Sequence, residues 1–339
     1  MKACLFDFGG TLIGPVSGHR YYYGQLNGEQ KKMYAALLSG AVSMATEIVL
    51  PLKPINEIMR IFTSVILDNP LVFYVTSFNQ TNDPNRQKSI VRPEYKYSKD
   101  FVRQHAGHVW DYLQVFDAVR SKSDIDKEMF VHDYCLNNFC YDYSFTDYSY
   151  SVLGLVLRRT AVCDGIAKFV KLAFDYLGIE SLVVHGLAKN PSNVNTTESH
   201  AWNIVKIYGN YFHLDVTFDM TIKNKVNRYD YFNLCDNDIK KDHTIPHGVP
   251  PCTTPGKDYL SVNSMVAHSP AEFEKFVYAS LIHGNKTIIV KLSNVKDTAT
   301  IVDKVMAMAL NQYSKVYSGS ARVEISYNSS QLVFEINFV

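Results

Sequence analysis

None of the six cysteines of this 339-residue chain (Cys4, Cys135, Cys140, Cys163, Cys235 and Cys252) belongs to a C-x-x-C pair, which speaks against a zinc module. Their spacing gives no disulfide framework either. Excess charge of one sign is also missing: 34 Lys and Arg stand against 33 Asp and Glu, a net charge of +1. Nothing marks a polyanion-binding surface, and no nucleic-acid partner is expected. No stretch approaches the roughly 20 apolar residues that a membrane helix requires, so no membrane partner is expected. The opening MKACLFDFGGTLIGP has one lysine and an apolar run broken by Asp7 and two glycines, a poor secretory signal. Its expected location is the cytoplasm, or outside it had a leader been removed. No repeat of fixed period is present, and tryptophan occurs only at Trp110 and Trp202.

What is present is ample material for a core: 47% of residues are hydrophobic, and the length suits two or three domains. Residues 30–49 and 55–67 read as helices, 71–77 as a strand, and the polar stretch 79–87 with Pro84 as a loop or hairpin connection. Residues 101–119 are mixed in character and 123–138 helical. Pro246, Pro250, Pro251 and Pro255 mark 246–258 as a linker or long surface loop. Beyond it, 259–266 reads as a strand, 270–282 as a helix, 286–292 as a strand, 298–317 as a helix and 321–339 as a hairpin turning at 328–330. This predicts a small βαβαββ module of a structural or substrate-presenting kind.

Chemistry concentrates in three segments. In TAVCDGIAKFVKLAFDYLGI the apolar residues Ile166, Val170, Ala173, Phe174 and Leu177 recur at helical spacing before Gly178, so Cys163 falls at the first turn of a helix with Thr160 as its expected cap. A helix N-terminus and a nearby imidazolium both favour thiolate, the nucleophilic form. In SHAWNIVKIYGNYFHLDVTFD the runs 201–207 and 211–216 are strand-like around a turn at 208–210, which puts His200 and Asp215 on a hairpin. Cysteine, histidine and aspartate can serve as nucleophile, proton shuttle and orienting acid. A two-residue turn at Gly209-Asn210 pairs His200 with Asp219, however, and leaves Asp215 four positions along the strand, on the order of 13 Å away. Either the register shifts by about two residues, or Asp219 is the third member.

The pattern VCDGIAKFVKLAFDYLGI, SHAWNIVKIYGNYFHLDVTFD and YFNLCDNDIKKDH resembles the bacterial transglutaminase-like superfamily, whose core is related to papain-type cysteine peptidases. The resemblance covers about residues 121–245, with VHDYCLNNFCYDYSF as the upstream helix and Tyr-rich loop, and weaker similarity begins at residue 21. It implies an α+β fold: a transglutaminase-like, papain-like core (121–245) with flanking small α/β domains. The division is then an N-terminal segment (1–20), an N-terminal α/β region (21–120), the core, the Pro-rich linker (246–258) and the C-terminal module (259–339). Carried over residue by residue, it makes Cys163, His200 and Asp215 the catalytic triad. Papain-type enzymes place a glutamine before the nucleophile, and here residues 155–160 are Leu-Val-Leu-Arg-Arg-Thr. The backbone amide of Cys163 remains as one oxyanion donor. Tyr141 or Tyr143, or another backbone amide, is available as the second; the upstream tryptophan used by transglutaminases proper has its counterpart only in Trp110, which sequence does not place.

The implied activity is a cysteine-dependent hydrolase or acyl transferase acting on an amide bond of a peptide or protein through a thioester, with peptidase preferred. The alternative is a non-catalytic binding or scaffold protein of the same fold. Substrate-binding candidates are Trp202, which shares the His200 face of its strand, and Tyr141 and Tyr143. No cofactor or metal is expected. The other five cysteines read as buried reduced thiols, and His185 and His213 as structural. LFDFGGTL at residues 5–12 resembles the first motif of haloacid-dehalogenase-type phosphatases, but Gly9 stands where that family has its second aspartate, and the rest of that site has no counterpart.

Overall fold

The computed structural model describes residues 3–6, 12–16, 18–190, 193–295 and 299–339, so most of the phosphatase-like segment, residues 7–11, lies outside the described residues. Helices and strands mix in the α+β manner. The chain forms two compact units: residues 1–187 with 199–211, and residues 188–198 with 212–339. The division falls inside the segment 121–245. No described helix is long and apolar enough to cross a membrane.

In the first unit, helix Gly28–Ser43 opens with a capping box in which Asn27 accepts from the Gln30 amide at 3.0 Å and Gln30 from the Asn27 amide at 3.2 Å. It stops at Met44, whose φ of 54° is left-handed, so the helix expected to reach residue 49 gives way to strand Ile48–Pro51. Helix Ile55–Asp68 follows. Strands Val75–Asp83 and Lys88–Tyr95 form a hairpin, and the second also pairs antiparallel with Ile48–Pro51. The polar stretch 79–87, expected as a loop or hairpin connection, is strand as far as Asp83 and the hairpin turn at 84–87. Its outward positions face solvent, so polar residues cost nothing there and hide the alternation. Leu37, Ile58, Ile61, Val65 and Val91 form the core of this region. Asp68, buried beneath it, accepts hydrogen bonds from the Tyr22 and Tyr23 amides and the Tyr34 hydroxyl, while burial pushes its carboxyl up to about 6.

Residues 101–119, mixed in sequence, resolve into helix Lys99–Leu113 and a 3-10 turn, Gln114–Val119. Ser123 caps helix Asp124–Asn138. Helix Cys163–Leu177 buries the five apolar residues that define its period and ends at Gly178, φ 78°. Strands Ser181–Asn190 and Asn193–Ile207 are neighbours in a sheet, with the Lys206 amide donating to the Glu180 carbonyl at 2.8 Å.

In the second unit the C-terminal module has strand order Val266–Ala267, Thr287–Leu292, Val333–Phe338, Val323–Asn328, the first pair parallel and the rest antiparallel. Helix Pro270–Ile282 makes the parallel crossover and Ile301–Val316 packs with it over a core of Phe273, Val277, Val290, Val305 and Phe334. The expected strand at 259–266 is instead a helical turn, Tyr259–Val262, capped by Asp258, and a two-residue strand. The proline-rich stretch has no regular structure, yet Cys252 within it is fully buried; its carbonyl accepts from the Asp236 amide and its own amide donates to the Asp236 carboxylate.

Candidate active site

Cys163 is the first residue of its helix. The cap position is Val162, extended at φ −85° and ψ 175°, with no side-chain cap; Thr160, the expected cap, instead lies in the short strand Thr160–Ala161. The Cys163 amide is thus among the helix-start donors that no intrahelical carbonyl satisfies. The side chain is half-buried and packs on Leu67, Ala167, Val183 and Ala201. Its neighbour Gly165 has a steric reason. A Cβ there would stand 2.9 Å from the Ala161 Cβ and closer still to the Ser149 carbonyl, which accepts the Val162 amide at 3.1 Å.

The other cysteines differ. Cys135, Cys235 and Cys252 are buried, and burial pushes each thiol up. Cys140 is exposed, contrary to the expectation of a buried thiol, because it opens the strand Cys140–Tyr141 that pairs parallel with Thr160–Ala161.

His200 lies on strand Asn193–Ile207, half-buried, its ring stacked on the fully buried Trp202 at 6.0 Å. Ala201 and Asn203 occupy the other face. Ala201 shares the apolar cluster of Cys163, and the Asn203 amide donates to the carbonyl of Ala167 at 2.9 Å and of Leu182 at 3.4 Å. Asn203 therefore ties the histidine strand to the cysteine helix and to the adjacent strand. Sequence reasoning gave it no role, although a polar residue amid the strand-like run Ala201–Ile207 was the available signal.

The same helix start holds a second histidine. His185 Nε2 meets Asp164 Oδ1 at 2.8 Å, and Lys168 pairs with the other oxygen at 2.6 Å. Burial would raise the Asp164 carboxyl, but the His185 bond and the Lys168 charge outweigh it and hold it below its ordinary range. The Tyr-rich loop is organised by Asp142, which accepts from the Ser149 and Thr146 hydroxyls and from the Ser144 and Thr146 amides. Those bonds, Ser149 first, hold its carboxyl well below the usual range. Tyr141 pairs with Ala161, two residues before the nucleophile, and its ring lies 5.0 Å from that of Tyr143, which is 74% exposed. Trp110 sits edge-on to Tyr176, 5.3 Å away. Tyr176 is thirteen residues along the helix from Cys163, about 20 Å at helical rise, so Trp110 is not at the nucleophile's end.

In the second unit Asp215 is fully buried. The strand Asn210–Leu214 ends just before it and Asp215 caps helix Val216–Ile222, its Oδ1 accepting from the Phe218 amide at 3.0 Å. Its Oδ2 meets His243 Nε2 at 3.0 Å. Asp219, the rival candidate, lies inside that helix and accepts from the Tyr231 amide at 3.1 Å. The strand register that favoured it does not extend so far. The hairpin turn is also one residue earlier than expected, with Tyr208 and Gly209 both at positive φ (48° and 83°) as in a type I′ turn. His213 and Cys252, both buried, and Asp236 bring one donor atom each within 4.8 Å, the geometry of a metal-ligand set. Two of those donors already bond each other, His213 Nε2 and Asp236 Oδ1 at 2.9 Å, and the Cys252 backbone amide donates to the same oxygen. Burial pushes His213 down against the opposing pull of Asp236.

Residues 115–216 match the family model of the transglutaminase-like superfamily. Residues 115–216 are a transglutaminase-like domain. Cys163 opens the central helix of this domain, His200 lies on its strand and Asp215 stands at its last positions. Among solved structures, a putative cysteine protease from Cytophaga hutchinsonii is 14% identical over 42% of this chain and 61% of its own, with a TM-score of 0.28. A TGase is 19% identical over 54% of this chain and 53% of its own, with a TM-score of 0.29. The chain thus spans less than two thirds of either. No curated protein matches it.

Proposed function

We propose that the transglutaminase-like domain makes this chain a cysteine-dependent hydrolase of peptide or protein amide bonds, acting through a thioester. The observation that carries this reading is the setting of Cys163: first residue of the domain's helix, half-buried, while Cys135, Cys235 and Cys252 are buried with thiols pushed up. In the proposed reaction the Cys163 thiolate attacks the carbonyl carbon, and the Cys163 amide at the helix start donates to the developing oxyanion. His200, protonated by the thiol, returns that proton to the leaving amine. Water then attacks the thioester with His200 as base, releasing the acid and restoring the thiol. Asp215 accepts from the other nitrogen of His200 and orients it. Tyr141 or Tyr143, or another backbone amide, would supply the second oxyanion donor; the pairing of Tyr141 with Ala161, two residues before Cys163, supports Tyr141, and Trp202 stacked on His200 would shield the imidazole.

Iodoacetamide labelling tests this directly, in a Cys140→Ser background because Cys140 is exposed. Cys163 should react faster than an ordinary exposed thiol, and His200→Ala should abolish the advantage. Profiling against a peptide library with and without a primary amine then separates hydrolysis from transamidation. Ordinary thiol reactivity, together with full retention in Cys163→Ala of every activity found, would leave a scaffold of the same fold.

A further inference from the structure

Behind Asp215 runs an unbroken chain of buried hydrogen bonds that the reaction above does not use. Asn328, at the tip of the C-terminal hairpin, donates to the Tyr231 hydroxyl at 3.1 Å, and that hydroxyl donates to Asp242 Oδ2 at 2.6 Å. Asp242 Oδ1 meets His243 Nδ1 at 2.7 Å, and His243 Nε2 meets Asp215 Oδ2 at 3.0 Å. All five residues are 9% exposed or less. The imidazole packs against the rings of Phe218 (4.8 Å) and Tyr231 (5.7 Å).

The donor inventory of this chain is decisive. A neutral imidazole has one N–H, so between two ionised carboxylates it would turn a bare lone pair toward one of them. Both contacts are satisfied when both ring nitrogens are protonated, with a carboxylate on each side of the cation. A buried cation is tolerated only when paired in this way. We infer that His243 is a positioning residue: an imidazolium clamped between Asp242 and Asp215 that fixes the Asp215 carboxylate in its orientation and keeps it ionised. His243 occupies Oδ2 and the Phe218 amide occupies Oδ1, so both oxygens are held. Within this unit Asp215, Asp242 and Tyr231 face the ring, and His213 lies within electrostatic reach of it. The C-terminal module thereby acquires a role at the site, since Asn328 and, at 3.5 Å from Asp242, Gln331 anchor the far end of the chain.

This inference rests on the reading of Asp215 as the acid that orients His200, and the experiment separates the two. In the full chain labelled with 15N-histidine, one imidazole should keep both ring nitrogens protonated from about pH 6 to about pH 9 and show contacts to the Phe218 and Tyr231 rings. A ring at that position that is neutral throughout overturns the proposal, and this measurement needs no variant. With the rate of iodoacetamide alkylation at Cys163 as readout, in the Cys140→Ser background, His243→Gln should slow the reaction roughly 10- to 100-fold, the scale of one lost hydrogen bond to a charged group. Tyr231→Phe should slow it a few-fold. Because His243 acts through Asp215, adding His243→Gln to Asp215→Asn should cost nothing further. Additive losses, or slowing in Asp215→Asn with none in His243→Gln, overturn the proposal alone. A rate unchanged in both variants overturns the triad reading beneath it as well.

Discussion

Glycine to alanine is the smallest substitution that can test how the nucleophile is held, and two helices of this chain should answer it with opposite signs. Gly107 is inside helix Lys99–Leu113, and a Cβ added there meets nothing within 4 Å. Gly107→Ala should stabilise the protein by about 0.5–1 kcal/mol, the helix-propensity difference. At Gly165 the same gain is opposed. The added carbon would sit 3.0 Å from the Ser151 carbonyl, 2.9 Å from the Ala161 Cβ and nearer still to the Ser149 carbonyl. Two of those three atoms are backbone. Ser149 cannot retreat without losing the Val162 amide bond that fixes the residue before the nucleophile. Overpacking costs about 1–3 kcal/mol, and a lost backbone bond about 0.5–1.5. Set against a propensity gain of about 1 kcal/mol, Gly165→Ala should be destabilised by about 0.5–3.5 kcal/mol. Urea unfolding of both variants, followed by far-UV circular dichroism, measures the difference, and iodoacetamide labelling of Cys163 reports whether the helix start has moved. A Gly165→Ala protein as stable as wild type, with Cys163 reactivity unchanged, would refute the claim that this contact holds the nucleophile in place.

Other outcomes follow from the same geometry. Asn203→Leu should cost about 1–3 kcal/mol by removing a buried donor that joins strand to helix, and amide hydrogen exchange should quicken along strand Asn193–Ile207. Unchanged exchange would deny it that role. Trp110→Phe should leave alkylation of Cys163 within twofold of wild type, since the indole lies about 20 Å along the helix from the nucleophile; a tenfold loss would contradict that placement. Asp68 gives a pH signature. Its folded carboxyl titrates at about 6, above the ordinary value of 3.8, so between those values the folded state binds more protons than the unfolded one and stability falls as pH rises from about 4 to about 6. Asp68→Asn should flatten that slope in denaturation midpoints taken across the interval, and a slope of the same size in the variant would assign it to another group.

Periodicity and end signals determined the local structure wherever the chain is amphipathic. Helix Cys163–Leu177 was readable from its apolar spacing and Gly178, because a helix that buries one face must write that face at a 3.6-residue period. The polar strand through Asp83 was not readable, since a strand with one solvated face has no apolar run to announce it. At the site, sequence located Cys163 at a helix start and His200 on a strand, both local properties. It placed Asp215 and Asp219 on a strand, whereas the turn comes one residue earlier than expected, Asp215 leaves the strand to cap a helix and Asp219 lies within that helix. Asn203 on the Ala167 carbonyl and His243 on Asp215 are partners 36 and 28 residues apart. No local pattern encodes such pairs. Only the packing that removes those groups from water, and so obliges each to find a partner inside the protein, decides them.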